Sequence, residues 1–430
     1  MITKVKTVLQ KNRRTLTALL IRGIVMCLQF IMQIVLVWVA GAMGAGIYAL
    51  YQAWMAIFSR LTGLGSTTHS LRTVSVLADR EEGAAIQSYQ NQMSKLLILC
   101  GGGLALVYIF ASSLLAEKFL GAAELSYVVI AAGIGGVFTN ILKIGAESLK
   151  GMGRINVGLV LEWAVLPSVV IITAGILAAT GGLVKMEIVL YVHVVAILLV
   201  AIMLRLIVNS SAEALLARTT SQTSFGLKKL SPLWGGELAV VWFMNIPLLL
   251  LPQFVSLVEL GVFAIALKLI LIVQAVLVVL SSVYGPKFAQ KFQKRDFKGL
   301  SSDIRETQMI SMILYAPMFL LFMFAPEFVM GLFGEEFKVG ADLLRILALG
   351  QLLYAACGLG DFVLNMAHQE KLYLKINLGC TFLMLVLCWF LSGNLGLIGC
   401  AIAVAISIAC KQGFAYIATL LFLRRESRVV

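Results

Sequence analysis

Charge is scarce in this sequence. Asp, Glu, Lys and Arg make up 13% of its 430 residues, against roughly 25% in a soluble domain, and 60% of the chain is hydrophobic. A water-facing surface cannot be built from that composition. Histidine is scarcer still: His69, His193 and His368 stand far apart, and no HExxH or Walker-type loop is present, so neither a zinc hydrolase nor a P-loop enzyme fits. Nothing points to a cofactor. The seven cysteines, Cys27, Cys100, Cys357, Cys380, Cys388, Cys400 and Cys410, show no CxxC spacing and fall in or beside apolar segments, as expected of small hydrophobes buried in packing. The net charge of +13 comes from Lys and Arg between apolar runs, without the aromatic-interleaved basic stripe of a nucleic-acid binder.

Apolar runs are what the chain has in abundance, with a mean hydropathy of +0.98. A bilayer span needs about 20 such residues, and spans are expected near 16–40, 43–64, 96–116, 123–142, 157–180, 186–208, 233–252, 260–284, 309–330, 341–367, 374–391 and 395–421. The first follows a basic arm, Lys4 to Arg14, and ends near Ala40-Gly41-Ala42. It is too long for a signal peptide's apolar core of about 7–15 residues. With twelve spans both termini lie on one side, where 26 Lys and Arg fall against three in the opposite loops. The positive-inside rule makes that side cytoplasmic. The basic stretch 288–299, FAQKFQKRDFKG, is expected on the anionic inner leaflet.

Half-length repetition organises the chain. Gly46-Ile47-Tyr48-Ala49 corresponds to Gly261-Val262-Phe263-Ala264 at an offset of 215 residues, and Leu149 to Leu364 at the same offset. The expected architecture is an all-α polytopic membrane protein of about 12 transmembrane helices: a six-helix bundle over 1–208, a polar linker over 209–229, and a pseudo-symmetric six-helix bundle over 230–430, around a central cleft.

Charges inside apolar runs cost about 2.5–3.5 kcal/mol each on insertion scales and usually face a cavity or a partner. They are Arg22, Arg60, Lys268 and Lys411, with Glu162, Glu237 and Asp361. Arg345, Asp361 and Lys411 stand nearer span ends, where pairing or snorkelling accounts for them. Arg22, Met26, Gln29 and Gln33 share one face of the first span; Tyr48, Gln52, Ala56 and Arg60 do so in the second, flanked by Tyr51 and Trp54. Amides that hydrogen-bond hydroxyls beside aromatics suit a sugar. The expected binding residues are therefore Arg22, Gln29, Gln33, Gln52, Arg60 and Lys268. The same offset carries Arg22 onto Glu237, so these two are expected to form a gating pair.

The run 344–371, LRILALGQLLYAACGLGDFVLNMAHQEK, resembles the tenth-span region of polysaccharide transporters in the multidrug/oligosaccharidyl-lipid/polysaccharide (MOP) superfamily, and 41–72, GAMGAGIYALYQAWMAIFSRLTGLGSTTHSLR, is similar to their second span and following loop. Within that superfamily the chain resembles Wzx-type O-antigen or capsule-repeat flippases. That resemblance implies an undecaprenyl-diphosphate-linked oligosaccharide as cargo, moved across a bacterial inner membrane from the cytoplasmic to the periplasmic leaflet, with H+ or Na+ as the coupling ion and membrane lipids as the remaining partners. A cation-coupled drug or metabolite exporter of the same superfamily is the alternative. A polymerase is disfavoured by the shortness of the loop near 327–340.

Overall fold

The computed structural model describes residues 13–179, 185–215, 231–366 and 369–426. Among them there is no β-strand. The first helical stretch, Arg13–Gly63, is two helices, α1 (13–40) and α2 (42–63), joined at Gly41 with φ 67°, a backbone geometry that favours glycine. The break creates a new helix N-terminus, and its Ala42 N–H donates to Glu336 Oε1 at 2.9 Å. A carboxylate there satisfies an orphan donor and meets the positive end of the helix dipole. There follow α3 (Ser66–Asp79), α4 (Gly83–Phe110), α5 (Ser112–Leu120), α6 (Ser126–Gly151), α7 (Ile155–Trp163), α8 (Val165–Ala179), α9 (Met186–Glu213), α10 (Ser231–Leu250), α11 (Leu257–Gln293), α12 (Phe297–Phe324), α13 (Pro326–Gly331), α14 (Ala341–Cys357) and α15 (Gly360–Met366). The last stretch, Glu370–Glu426, is again two helices, α16 (370–395) and α17 (397–426), joined at Gly396.

Nine helical stretches among the described residues are long and apolar enough to cross a membrane. Two of these are the glycine-jointed pairs, and the 37-residue α11 adds a further span, which gives the fold about twelve. Large side chains such as Trp38, Leu99, Phe110, Phe324 and Phe390 stand exposed on the outer surface, a distribution suited to lipid and not to water.

Packing divides the chain into two compact units. The first comprises Met1–Gly41 with Leu50–Val241, the second Ala42–Ala49 with Trp242–Val430. In the first, α6 is central, packed on α3, α4, α7 and α9, around Val74, Tyr89, Met93, Leu149 and Leu204. In the second, α14 packs on α11, α12 and the stretch Glu370–Glu426. The expected linker lies mostly outside the described residues; its first residues extend α9 to Glu213.

Several helices outrun the expected spans, because hydropathy registers only the lipid-embedded part of a helix. The third begins at Gly83 and not near 96, and the fourth runs to Gly151, past the expected end at 142. The stretch 288–299 is not a separate surface segment. It is the end of α11, a tight turn with Arg295 at φ 56°, and the start of α12. Phe288 is buried there, and Lys291 pairs with Asp303 at 2.7 Å. The cysteines divide: Cys380, Cys388 and Cys400 are buried, whereas Cys27 and Cys100 face outward.

Within the second unit the two copies of the repeated tetrapeptide touch. A Cβ on Gly46 would meet the Leu257 carbonyl oxygen and come within 3.1 Å of Gly261 N, and a Cβ on Gly261 would meet the Ala42 carbonyl oxygen and come within 3.0 Å of Gly46 N. Gly46 and Gly261 are 215 residues apart, and so are Ala42 and Leu257. The contact is therefore reciprocal, residue for equivalent residue, as at an isologous interface, and a local two-fold axis passes between the glycines. Small residues allow such backbone approach where no hydrophobic effect drives helices together. Gly46→Leu and Gly261→Leu should each lower the thermal midpoint of the detergent-solubilised protein, by a similar amount corresponding to about 1–3 kcal/mol of overpacking. Loss of stability in one variant only would refute the two-fold equivalence.

Candidate functional site

The last turn of α2 brings Arg60 into the first unit. Leu64 and Gly65, both at positive φ, end the helix and swing the chain into α3, whose first turn presents Thr67 and Thr68. Arg60 Nη1 lies 2.9 Å from Glu237 Oε2 on α10 and 3.5 Å from the Thr67 hydroxyl. The Thr68 hydroxyl donates to the other carboxylate oxygen, Oε1, at 3.0 Å. Trp234, one turn before Glu237, donates its indole N–H to the Arg60 carbonyl at 2.9 Å. Both charged side chains remain about a quarter exposed, at 25% and 22%.

Asn140 fixes α2 to α6 at this level. Its side-chain oxygen accepts from Ser59 at 2.7 Å and its amide donates to Thr62 at 2.9 Å, so the residues on either side of Arg60 are held. From Asn140 the α6 face continues through Lys143, Glu147 and Lys150, steps of three, four and three that keep them in line. Lys150 bridges Glu147 at 2.8 Å and Glu162 of α7 at 2.6 Å. Lys143 is half-buried. Among the described residues no carboxylate comes within ion-pair distance of it. Arg60 with Glu237, and Lys150 with Glu147 and Glu162, are thus two ion-paired sets, as removal from water demands. No cluster of metal-ligating residues is found among the described residues.

The expected site residues fare differently. Arg60 and Glu237 are in contact, and Glu237 is held by Arg60 and Thr68; the side chain of Arg22, its expected partner, lies outside the described residues. Gln33 is buried, while Gln29 and Gln52 are half-buried. The aromatics that flank the second-span stripe are core residues and not a sugar platform: Trp54 packs edge-on against Tyr108 and Phe119, and Tyr51 against His193. Lys268 belongs to the second unit, its ammonium 5.7 Å from the centre of the Tyr48 ring, and Lys411 lies 4.5 Å from that of Phe243. Such ring faces attract cations. Arg345 pairs with Asp342 at 2.6 Å. Lys143, Glu147 and Lys150 were not expected at the site; their helical spacing is the signal that carries them.

Replacing Lys150 by Met leaves Glu147 and Glu162 facing each other without a cation, so the protein should lose about 3 kcal/mol of stability in chemical denaturation. Adding Glu162→Gln should recover part of it. A Lys150→Met variant as stable as the parent would show that the triad contributes nothing to the fold.

A family model, MatE, matches residues 232–390. No curated protein matches the sequence. Among solved structures, the chain is similar to an inward-facing multidrug-resistance MATE transporter of the MOP superfamily, with a TM-score of 0.72 and 14% identity over 94% of this chain and 96% of that one. An outward-facing structure of such a transporter aligns at 0.64 with 14% identity over 95% and 94%. A MOP transporter from Pyrococcus furiosus, described as having a binding pocket of reverse polarity that suggests a different function, aligns at 0.60 with 14% identity over 95% and 96%. This chain therefore has the fold of the MATE transporters of the MOP superfamily.

Proposed function

We propose that this protein is an alternating-access exporter of the MOP type whose cargo is an undecaprenyl-diphosphate-linked oligosaccharide, moved from the cytoplasmic to the periplasmic leaflet of a bacterial inner membrane. The observation that carries the proposal is Arg60, a cation at the end of a membrane-spanning helix that is still about a quarter exposed although Glu237 contacts it, with Lys143 on α6 making no ion pair among the described residues. A site built for a cationic drug would carry carboxylates in excess of cations instead. A diphosphate stripped of water needs cations in its place, and Lys268 of the second unit is a further candidate. The Pyrococcus transporter supports the idea that this fold accommodates a pocket of altered polarity. Both termini are assigned to the cytoplasm on the distribution of Lys and Arg, and H+ or Na+ is the coupling ion in the proposal.

Export of drugs or metabolites is the second reading. It is favoured by the MatE match, by the multidrug-resistance neighbours and by Glu162 and Glu237 within the spans. The two part in a flippase-null strain. Arg60→Ala and Lys268→Ala should abolish surface polysaccharide at unchanged membrane levels, Lys268→Arg should be tolerated, and lipid-linked repeat units should accumulate on the cytoplasmic side when the protein is absent. Full complementation by both alanine variants would remove the anion-binding role of these residues. Normal polysaccharide in the deletion strain, with altered drug sensitivity, would favour the exporter.

A further inference from the structure

The carboxylates inside the first unit's spans are engaged with cations: Glu147 and Glu162 with Lys150, and Glu237 with Arg60. A proton arriving at any of them has to displace a cation. His193 is differently placed. It lies seven residues into α9, roughly 10 Å along the axis at helical rise, and is only 4% exposed. Its ring meets that of the fully buried Tyr51 on α2 edge-on, with centroids 5.5 Å apart. The two helices close here over α6: a Cβ on Gly135 would come within 3.1 Å of the Tyr51 hydroxyl and 3.3 Å of Val194. The surrounding tracts are uncharged. Besides α2, α9 packs on α4, α6, α7 and α8, and residues 50–59, 96–110, 126–142, 165–179 and 188–204 include no Asp, Glu, Lys or Arg. From α7 comes Glu162, held by Lys150. The titratable side chains in those tracts are His193, Tyr51, Cys100, Tyr108, Tyr127 and Tyr191, and among these types histidine is the one that ordinarily gains charge between pH 5 and 8. An imidazolium in such a place needs water or an anion beside it. A seam packed side chain against backbone over Gly135 offers neither, so the charged ring and the closed seam exclude each other.

We infer that His193 is the proton-binding residue of this transporter, and that taking up a proton parts α9 from α2 at Tyr51. The proton adds to the unprotonated ring nitrogen. It comes from the aqueous phase at the start of α9, the face that charge distribution assigns to the outside. Because the ring is neutral in the closed seam and charged in the parted one, acid on that side favours parting, and return of the proton to water lets the seam close. A proton gradient thereby biases the conformation of the first unit. This deepens the exporter reading by naming H+ as the coupling ion and rests on that reading for transport itself, whether the cargo is a lipid-linked sugar or a drug. The binding of the proton is testable without any cargo.

A histidine that only fills space can be replaced by another ring without consequence; one that carries a proton cannot. The full-length protein in phosphatidylcholine nanodiscs, with its histidines isotopically labelled at Cε1, should give an NMR resonance that His193→Phe removes and that shifts between pH 5 and 8. A His193 resonance that stays constant over that range would overturn proton binding. Coupling is read in energised inverted membrane vesicles, as export of lipid-linked repeat units and as efflux of ethidium. Collapsing a pH gradient of about one unit with nigericin should slow wild-type export about tenfold. His193→Phe, which keeps a ring against Tyr51, should run at the collapsed rate with or without the gradient, at unchanged membrane level. His193→Gln should do the same and serves if His193→Phe does not fold. His69→Gln, on α3, should keep the wild-type response. A wild-type response to the gradient in both His193 variants would overturn the coupling, as would a wild type driven by Na+ and indifferent to pH. A wild type that moves ethidium but not repeat units would remove the flippase proposal and leave His193 to be judged on ethidium efflux. Movement of neither cargo would remove the export reading and the coupling with it, while the NMR titration alone decides whether the proton binds.

Discussion

A charge in a membrane-spanning helix stays charged only if something replaces the water it has lost, and the first unit meets that demand at Arg60 and Lys150 with carboxylate partners. Lys150 takes two carboxylates, Glu147 and Glu162, and Glu237 takes Arg60. Neutral side chains around these pairs hold them in register. Asn140 spends its whole amide on Ser59 and Thr62, which locks α2 to α6 at the level of Arg60. Thr68 orients the far oxygen of Glu237, and Trp234 ties α10 to the α2 backbone. Remove any one of these hydrogen bonds and a charge is left less well placed in a medium where misplacement is costly.

Close helix approach is the second constraint, and it is where duplication leaves its clearest trace. Two helices with bulky faces cannot bring their backbones together, and lipid supplies no hydrophobic drive to press them. Gly46 and Gly261 resolve this by presenting no side chain to each other, each lying over the carbonyl of the residue four positions before its partner. That carbonyl belongs to equivalent residues, Ala42 and Leu257. An accidental crossing has no reason to pair equivalents in this way; a gene duplication packed about an axis does. The same crossing carries Lys268 to the Tyr48 ring, two residues along from Gly46, so the second unit's cation is positioned by the symmetric contact.

What the sequence discloses follows from which physical signals are local. Span number and order are legible because each span is a continuous apolar run, and Arg60, Glu162 and Glu237 are conspicuous because they interrupt such runs. The tetrapeptide repeat is visible at its offset, although only the structure brings its two copies into contact. Lys143, Glu147 and Lys150 were hidden, since they lie on the part of α6 beyond the apolar window and resemble loop charges until the helix is seen to continue to Gly151. The pairing of Arg60 with Glu237 spans 177 residues and has no local signature. Tyr51 and Trp54 misled for a related reason: periodicity shows that residues share a face, but not whether that face meets a cavity or a packed neighbour.

An anion carrier has to release what it binds, and that sets a ceiling on how strongly its cations should act. Two vacant cations inside a helical unit would hold a diphosphate tightly and would be expensive to leave empty between cycles, because nothing would replace their lost hydration. A carboxylate that competed for such a cation would lower both quantities: it would stabilise the empty state and so weaken net binding by the same free energy. For a negatively charged cargo the membrane potential would supply direction, at roughly 2.3 kcal/mol per charge moved outward across 100 mV. A site of moderate affinity is enough when the field assists transfer. On this ground acids beside the cations are no argument against an anionic cargo, since a carboxylate that competed for Arg60 would let that cation release what it bound.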